Sequence, residues 1–293
     1  MFALWGGYSK TPKAALKHVL FNIVRGLNFM HAHGVVHGDV KMDNIMISEG
    51  CGPRIVDLGQ ARYLYTSDGE VRSIRRKDIS HGMHAIEYHL SDKTENDLRW
   101  EGDEAVMMAK AADVWNLGHV LLTILHGGWD PMHQFAVAMG HQDTHYEDDM
   151  VIFSHMLGRP SDNVLNKYYS KAGKALLQEK HSTEDTPLEK VFHHIDQKAI
   201  AMVRRIMKMD PSERPSTKDI LLDPYFKDVR SSPSHKPSLA EELQTDQNIL
   251  DFFKAKGLTG GGTFHGVDTL FELSLAYAPT PRKGELRRLL REI

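Results

Sequence analysis

His37-Gly38-Asp39-Val40-Lys41-Met42-Asp43-Asn44 is the stretch whose reading decides the fold. An Asp, a Lys two residues on and an Asn five residues on lie between a helical pattern and a strand pattern. Upstream, Leu16, Val19, Leu20, Ile23, Val24, Leu27 and Met30 recur at helical spacing, so one long amphipathic helix is expected to about Ala32. Thr11 as N-cap and Pro12 at the first helical position mark its start, since the missing proline N–H has no helical partner to lose there. Gly34 marks its end. Downstream, Ile45-Met46-Ile47 and Arg54-Ile55-Val56 flank a Ser-Glu-Gly-Cys-Gly-Pro turn and read as a small hairpin. The second strand then delivers Asp57-Leu58-Gly59, a carboxylate at a strand end followed by a permissive glycine. Two oxygen donors and a Lys held between a rigid helix and a hairpin suit a magnesium-bound polyphosphate, because Mg²⁺ takes one or two protein oxygens and the rest from phosphates and water.

This spacing resembles the eukaryotic protein kinase signature, a catalytic loop of the H-R-D-L-x-x-x-N type followed by a D-F-G-like motif. The resemblance implies Asp39 as catalytic base toward a substrate hydroxyl and Lys41 as the charge facing the transferred phosphoryl. It implies Asn44 and Asp57 as magnesium ligands, with ATP and Mg²⁺ as cofactors and a protein Ser/Thr hydroxyl as substrate. Further motifs follow in order: Ala85-Ile86-Glu87 where the family has A-P-E, Asp113-Val114-Trp115-Asn116-Leu117-Gly118, and Asp210-Pro211-Ser212-Glu213-Arg214-Pro215. In the family the Asp of the second braces the catalytic loop and the Arg of the third pairs with the A-P-E Glu, so a buried Glu87–Arg214 ion pair is expected. Asp57-Leu58-Gly59, the non-Arg residue before Asp39 and Leu157-Gly158-Arg159-Pro160 look most like the SR-protein kinase branch in a divergent fungal form.

The fold expected is mainly α, a kinase-like C-terminal lobe with a small β-hairpin over residues 1–228, then a linker and tail over 229–293. A buried helix is expected at Ala111 to Leu125, with others near 147–157, 187–193 and 196–209, and a capping box at Ser216-Thr217-Lys218-Asp219. Residues 58–110 read as polar and irregular.

Several features depart from the family. Only 36 residues precede His37, and a five-stranded sheet at ~5–6 residues per strand would exhaust them. The N-lobe is therefore expected to be missing, leaving weak or no phosphotransfer by this chain alone unless a missing N-lobe or partner chain completes it. Gly38 replaces the Arg that pairs with a phosphorylated activation segment, Ile86 replaces Pro, and the stretch from Tyr88 to Ala112 is long. A pseudokinase-like interaction module is the alternative from another class.

Composition agrees with a globular chain: 36 Lys+Arg against 39 Asp+Glu, 41% hydrophobic and one cysteine. The charge balance removes the case for direct nucleic-acid or polybasic membrane binding. Apolar runs such as Val120 to Leu125 fall short of the ~20 residues a spanning helix needs, and Met1 to Tyr8 lack a secretory n-region. One cysteine excludes an internal disulfide and agrees with an intracellular setting, cytoplasmic or nuclear. The 18 histidines invite a zinc reading at His31, His33, His37 and Asp39, but the spacing does not fit H-x-H-x-D-H.

Overall fold

A computed structural model describes residues 13–48, 52–66, 68–75, 85, 87, 99–128, 130–138, 146–169, 171–180 and 188–230. The expected linker and tail beyond Arg230, the turn carrying Cys51 and the Thr11-Pro12 start signal lie outside these residues.

Among the described residues the chain is mostly helical. The first helix, α1 (Lys13–Ala32), is the expected amphipathic one, with Leu20, Ile23, Val24 and Leu27 buried. It ends where Gly34 N–H donates to His31 O at 3.2 Å. The hairpin is present as β2 (Ile45–Ser48) and β3 (Gly52–Ile55), in register Ile45↔Ile55 and Ile47↔Pro53. Two further ladders of two residues per strand pair β1 (Val35–Val36) with β4 (Arg62–Tyr63) and β5 (Ile74–Arg75) with β6 (Arg99–Trp100).

The core is organised around α2 (Gly102–Leu125), in which every residue from Ala111 to Ile124 is buried. This helix starts nine residues before the expected Ala111, which corrects the reading of 58–110 as irregular throughout. The acidic residues Asp103 and Glu104 stand in its first turn, where negative charge complements the helix dipole; the alanines that follow are strong helix formers. On the far side α8 (Gln197–Ile206) buries Ala199, Ile200, Met202, Val203 and Ile206, and Met207 and Met209 join the core. The crossing is close: a Cβ on Gly118 would stand 2.5 Å from Met207 Cγ.

Around these pack α3 (Pro131–Ala138), α4 (Tyr146–Leu157), α5 (Asp162–Tyr168), α6 (Lys171–Lys180) and α7 (Leu188–Val191). Near the end of the described region, α9 (Thr217–Leu221) opens with the predicted capping box and packs on α1, and α10 (Lys227–Arg230) follows. Helices α3, α5 and α6 were not anticipated. No described helix is long and apolar enough to cross a membrane.

His119 sits fully inside α2, its Nε2 without a hydrogen-bond partner among the described residues. Burial lowers its pKa from 6.5 to about 4, against a smaller opposing pull from the Asp130 carboxylate. The unfolded chain therefore takes up a proton first as pH falls, so this stabilisation is complete above about pH 6.5 and is lost down to about pH 4, roughly 3 kcal/mol in all. Denaturant melts between pH 7 and 4 should show His119→Gln less acid-sensitive than wild type. Equal slopes would contradict a buried neutral imidazole.

Candidate active site

The site is built where the end of α1, the loop 37–44 and the segment after β3 meet. Its foundation is Asp113 of α2, 1% exposed. One carboxylate oxygen accepts from Gly38 N–H at 2.9 Å; the other accepts from His37 N–H at 2.7 Å and lies 2.9 Å from His31 Nε2. Burial alone would raise its pKa, but the hydrogen bonds and charge from His31, with His37, hold the carboxyl below its ordinary value. One buried anion thereby fixes a helix end and two consecutive loop amides.

His31 is a correction. A histidine at a helix end needs only capping or exposure, yet His31 is buried and bonded to Asp113. The signal was present: Leu20, Val24, Leu27 and His31 fall on one helical face, the face α1 turns inward.

His37 ties the loop to the next strand. Its Nδ1 accepts from Asp39 N–H at 3.2 Å, and its Nε2 lies 3.0 Å from Val56 O. Val56 N–H in turn donates to Asn44 O at 2.9 Å. Gly38 adopts φ +76°, and a Cβ there would lie 2.7 Å from Gln60 O; a side chain would be strained and would press on the turn after Asp57.

Asp39, Lys41 and Asn44 form one cluster. Lys41 Nζ is 2.7 Å from Asp39 Oδ2. Asn44 Nδ2 donates to Asp39 O at 2.8 Å and to Asp39 Oδ2 at 3.1 Å, which turns the amide oxygen to the other side. Asp39 Oδ1 is buried and has no hydrogen-bond partner among the described residues. The Lys41 pKa is raised, first by its hydrogen bond to Asp39 against partial desolvation, then by the charges of Asp39, Asp43 and Asp57.

Asp57 reaches this cluster through the neighbouring Val56. It is exposed and adopts φ 62°, ψ 76°, the single positive-φ non-glycine residue among those described, a conformation that Asp tolerates better than most residues. Its Oδ1 accepts from Gly59 N–H at 3.2 Å. Asn44 and Asp57 are oxygen donors, the kind a hard cation takes. The imidazoles weighed for zinc are engaged elsewhere: His31 with Asp113, His37 with Val56 and Asp39, and His33 Nδ1 with Phe29 O at 2.7 Å.

The expected ion pair is present and fully buried. Arg214 Nη1 and Nη2 each lie 2.7 Å from one oxygen of Glu87, a bidentate arrangement. The guanidinium also donates to Ala111 O and Lys208 O and stacks 4.8 Å from the Trp115 ring centroid. It thus joins Glu87 to the Ala111 turn of α2.

Comparison with known proteins identifies the family. A family model described as protein kinase domain matches residues 6–226. The mitogen-activated protein kinase Hog1 of Zymoseptoria tritici is 28% identical over 244 residues, covering 82% of this chain and 58% of its own length. The mitogen-activated protein kinase mpkC of Aspergillus oryzae is 25% identical, covering 80% of this chain and 60% of its own length. HOG1 of Hortaea werneckii is 28% identical, covering 79% and 55%. The chain spans between half and two thirds of the length of each of these relatives.

Proposed function

Because the chain belongs to the protein kinase family, we propose that it is a Ser/Thr protein kinase acting on a protein hydroxyl with ATP and Mg²⁺. The observation that carries this is the Asp39 carboxylate: one oxygen is held by Lys41 and Asn44, while Oδ1 is buried without a partner among the described residues. A buried acceptor left unmade costs about 1–3 kcal/mol, and a substrate hydroxyl would satisfy it. In the transfer a bond forms between that hydroxyl oxygen and the γ-phosphorus, the bond to the β–γ bridging oxygen breaks, and ADP leaves. Asp39 receives the hydroxyl proton. Lys41, kept protonated by its neighbours, brings positive charge to the transferred phosphoryl. Magnesium, held by Asn44 and Asp57, would neutralise charge on the phosphate oxygens.

The Ser/Thr assignment is supported by Lys41 two residues after Asp39 and by the MAP kinase relatives. Those relatives and the SR-protein kinase likeness point to different branches. For this chain the domain match, the broad kinase class and the protein substrate class are common to both.

A lobe that binds a partner without chemistry is the second reading. Radiolabel transfer from Mg-ATP to protein substrates tests both: Asp39→Asn should reduce the rate about 10²–10⁴-fold. Rates equal in wild type and variant would remove Asp39 as the base, and absence of transfer by wild type would favour the interaction module.

A further inference from the structure

The corner where α2 ends and the turn between α7 and α8 passes over it carries histidines that phosphoryl transfer does not use. His126 caps the C-terminus of α2, His194 lies in that turn, and His126 Nδ1 is 3.2 Å from His194 Nε2. Two imidazoles hold that separation through one N–H···N bond. Two bonds of ~2.0–2.1 Å to one tetrahedral ion would put the nitrogens about 3.3 Å apart. The observed separation is within about a tenth of an ångström of that, so a cation can replace the shared proton once the two rings turn to aim both lone pairs at it.

The surroundings favour a cation. The His126 ring is set by an edge contact with Phe192, 5.1 Å between centroids at 77°. Asp130, which accepts from Met132 N–H at the start of α3, places its negative charge beside both His126 and His119. His193 is turned elsewhere, its Nδ1 3.2 Å from Lys190 O. Among the described residues no group of three His, Cys, Asp or Glu is arranged around one ion, so water would complete the shell.

We propose that His126 and His194 form a two-imidazole site for a borderline divalent cation, Zn²⁺ before the oxygen-seeking Mg²⁺, linking the end of α2 to the α7–α8 turn. Imidazole suits zinc, nickel and copper, and an ion that binds the folded form stabilises it by mass action.

The test uses the full chain without an affinity tag, stripped with chelator and titrated with zinc chloride by calorimetry and thermal melting. One zinc per chain and a rise in Tm are expected. Affinity should fall about tenfold or more in His126→Ala and in His194→Ala, and persist in His193→Ala. His194 is exposed, so its truncation spares the core, and His194→Ala decides the matter if His126→Ala fails to fold. No zinc binding, or binding retained in His194→Ala because other histidines hold the ion, would overturn the proposal.

Discussion

Arg214→Ala is expected to destabilise the helical lobe by about 3–5 kcal/mol, because it leaves the Glu87 carboxylate buried without its partner. Both side chains are 0% exposed and joined at 2.7 Å by two parallel bonds. The substitution also removes donors to Ala111 O and Lys208 O and the cation over Trp115. For a domain of this size the loss corresponds to a fall in Tm on the order of 10 °C. Replacing both partners, Glu87→Met with Arg214→Met, should cost less than either single change, since no lone charge remains. Denaturant melts of the three variants check this; a single variant within about 1 kcal/mol of wild type would contradict a buried, mutually dependent pair.

Asp113→Ala is the second large expected effect. It strips the acceptor from His37 N–H, Gly38 N–H and His31 Nε2 at once. Three buried polar groups left unmade at about 1–3 kcal/mol each predict a loss of 3 kcal/mol or more. The loss should be local as well as global. Backbone amide exchange at His37 and Gly38 should accelerate more than exchange in α8, which Asp113 does not touch. Unchanged protection at those two amides would mean that something other than Asp113 holds the loop.

The sequence disclosed the parts of this molecule whose causes are local or whose spacing is strict. The period of α1, the Ile45-to-Ile55 hairpin and the Ser216–Asp219 capping box are written in adjacent residues. So is the clustering of Asp39, Lys41 and Asn44, because a loop this short between fixed ends leaves few arrangements. The Glu87–Arg214 pair spans 127 positions and was reached through family resemblance, with no local signal.

What escaped notice was imposed from a distance or under-read. Ladders of two residues per strand, such as Val35–Val36 with Arg62–Tyr63, carry too little pattern to separate from loop. The start of α2 was hidden by an acidic stretch that resembles an insertion until Asp103 and Glu104 are seen as a first helical turn. Helices α3 and α5 did announce themselves, through the Asp130 carboxylate accepting from Met132 N–H and the Ser161 hydroxyl accepting from Val164 N–H. The helical face shared with Leu20, Val24 and Leu27 marks His31 as inward, but its partner Asp113, 82 positions away, carries no local signal.

The central claim is that Asp39, Asn44 and Asp57 belong to one magnesium-nucleotide site. Thermal shift with ATP, with and without Mg²⁺, on wild type and Asp57→Asn tests it most directly, since Asn also tolerates the left-handed backbone at that position. Wild type should gain about 2.7 kcal/mol at a ligand concentration 100 times Kd, only with magnesium, and Asp57→Asn should lose most of that gain. An equal shift in the variant, an equal shift without magnesium, or none in wild type at any concentration would contradict the account.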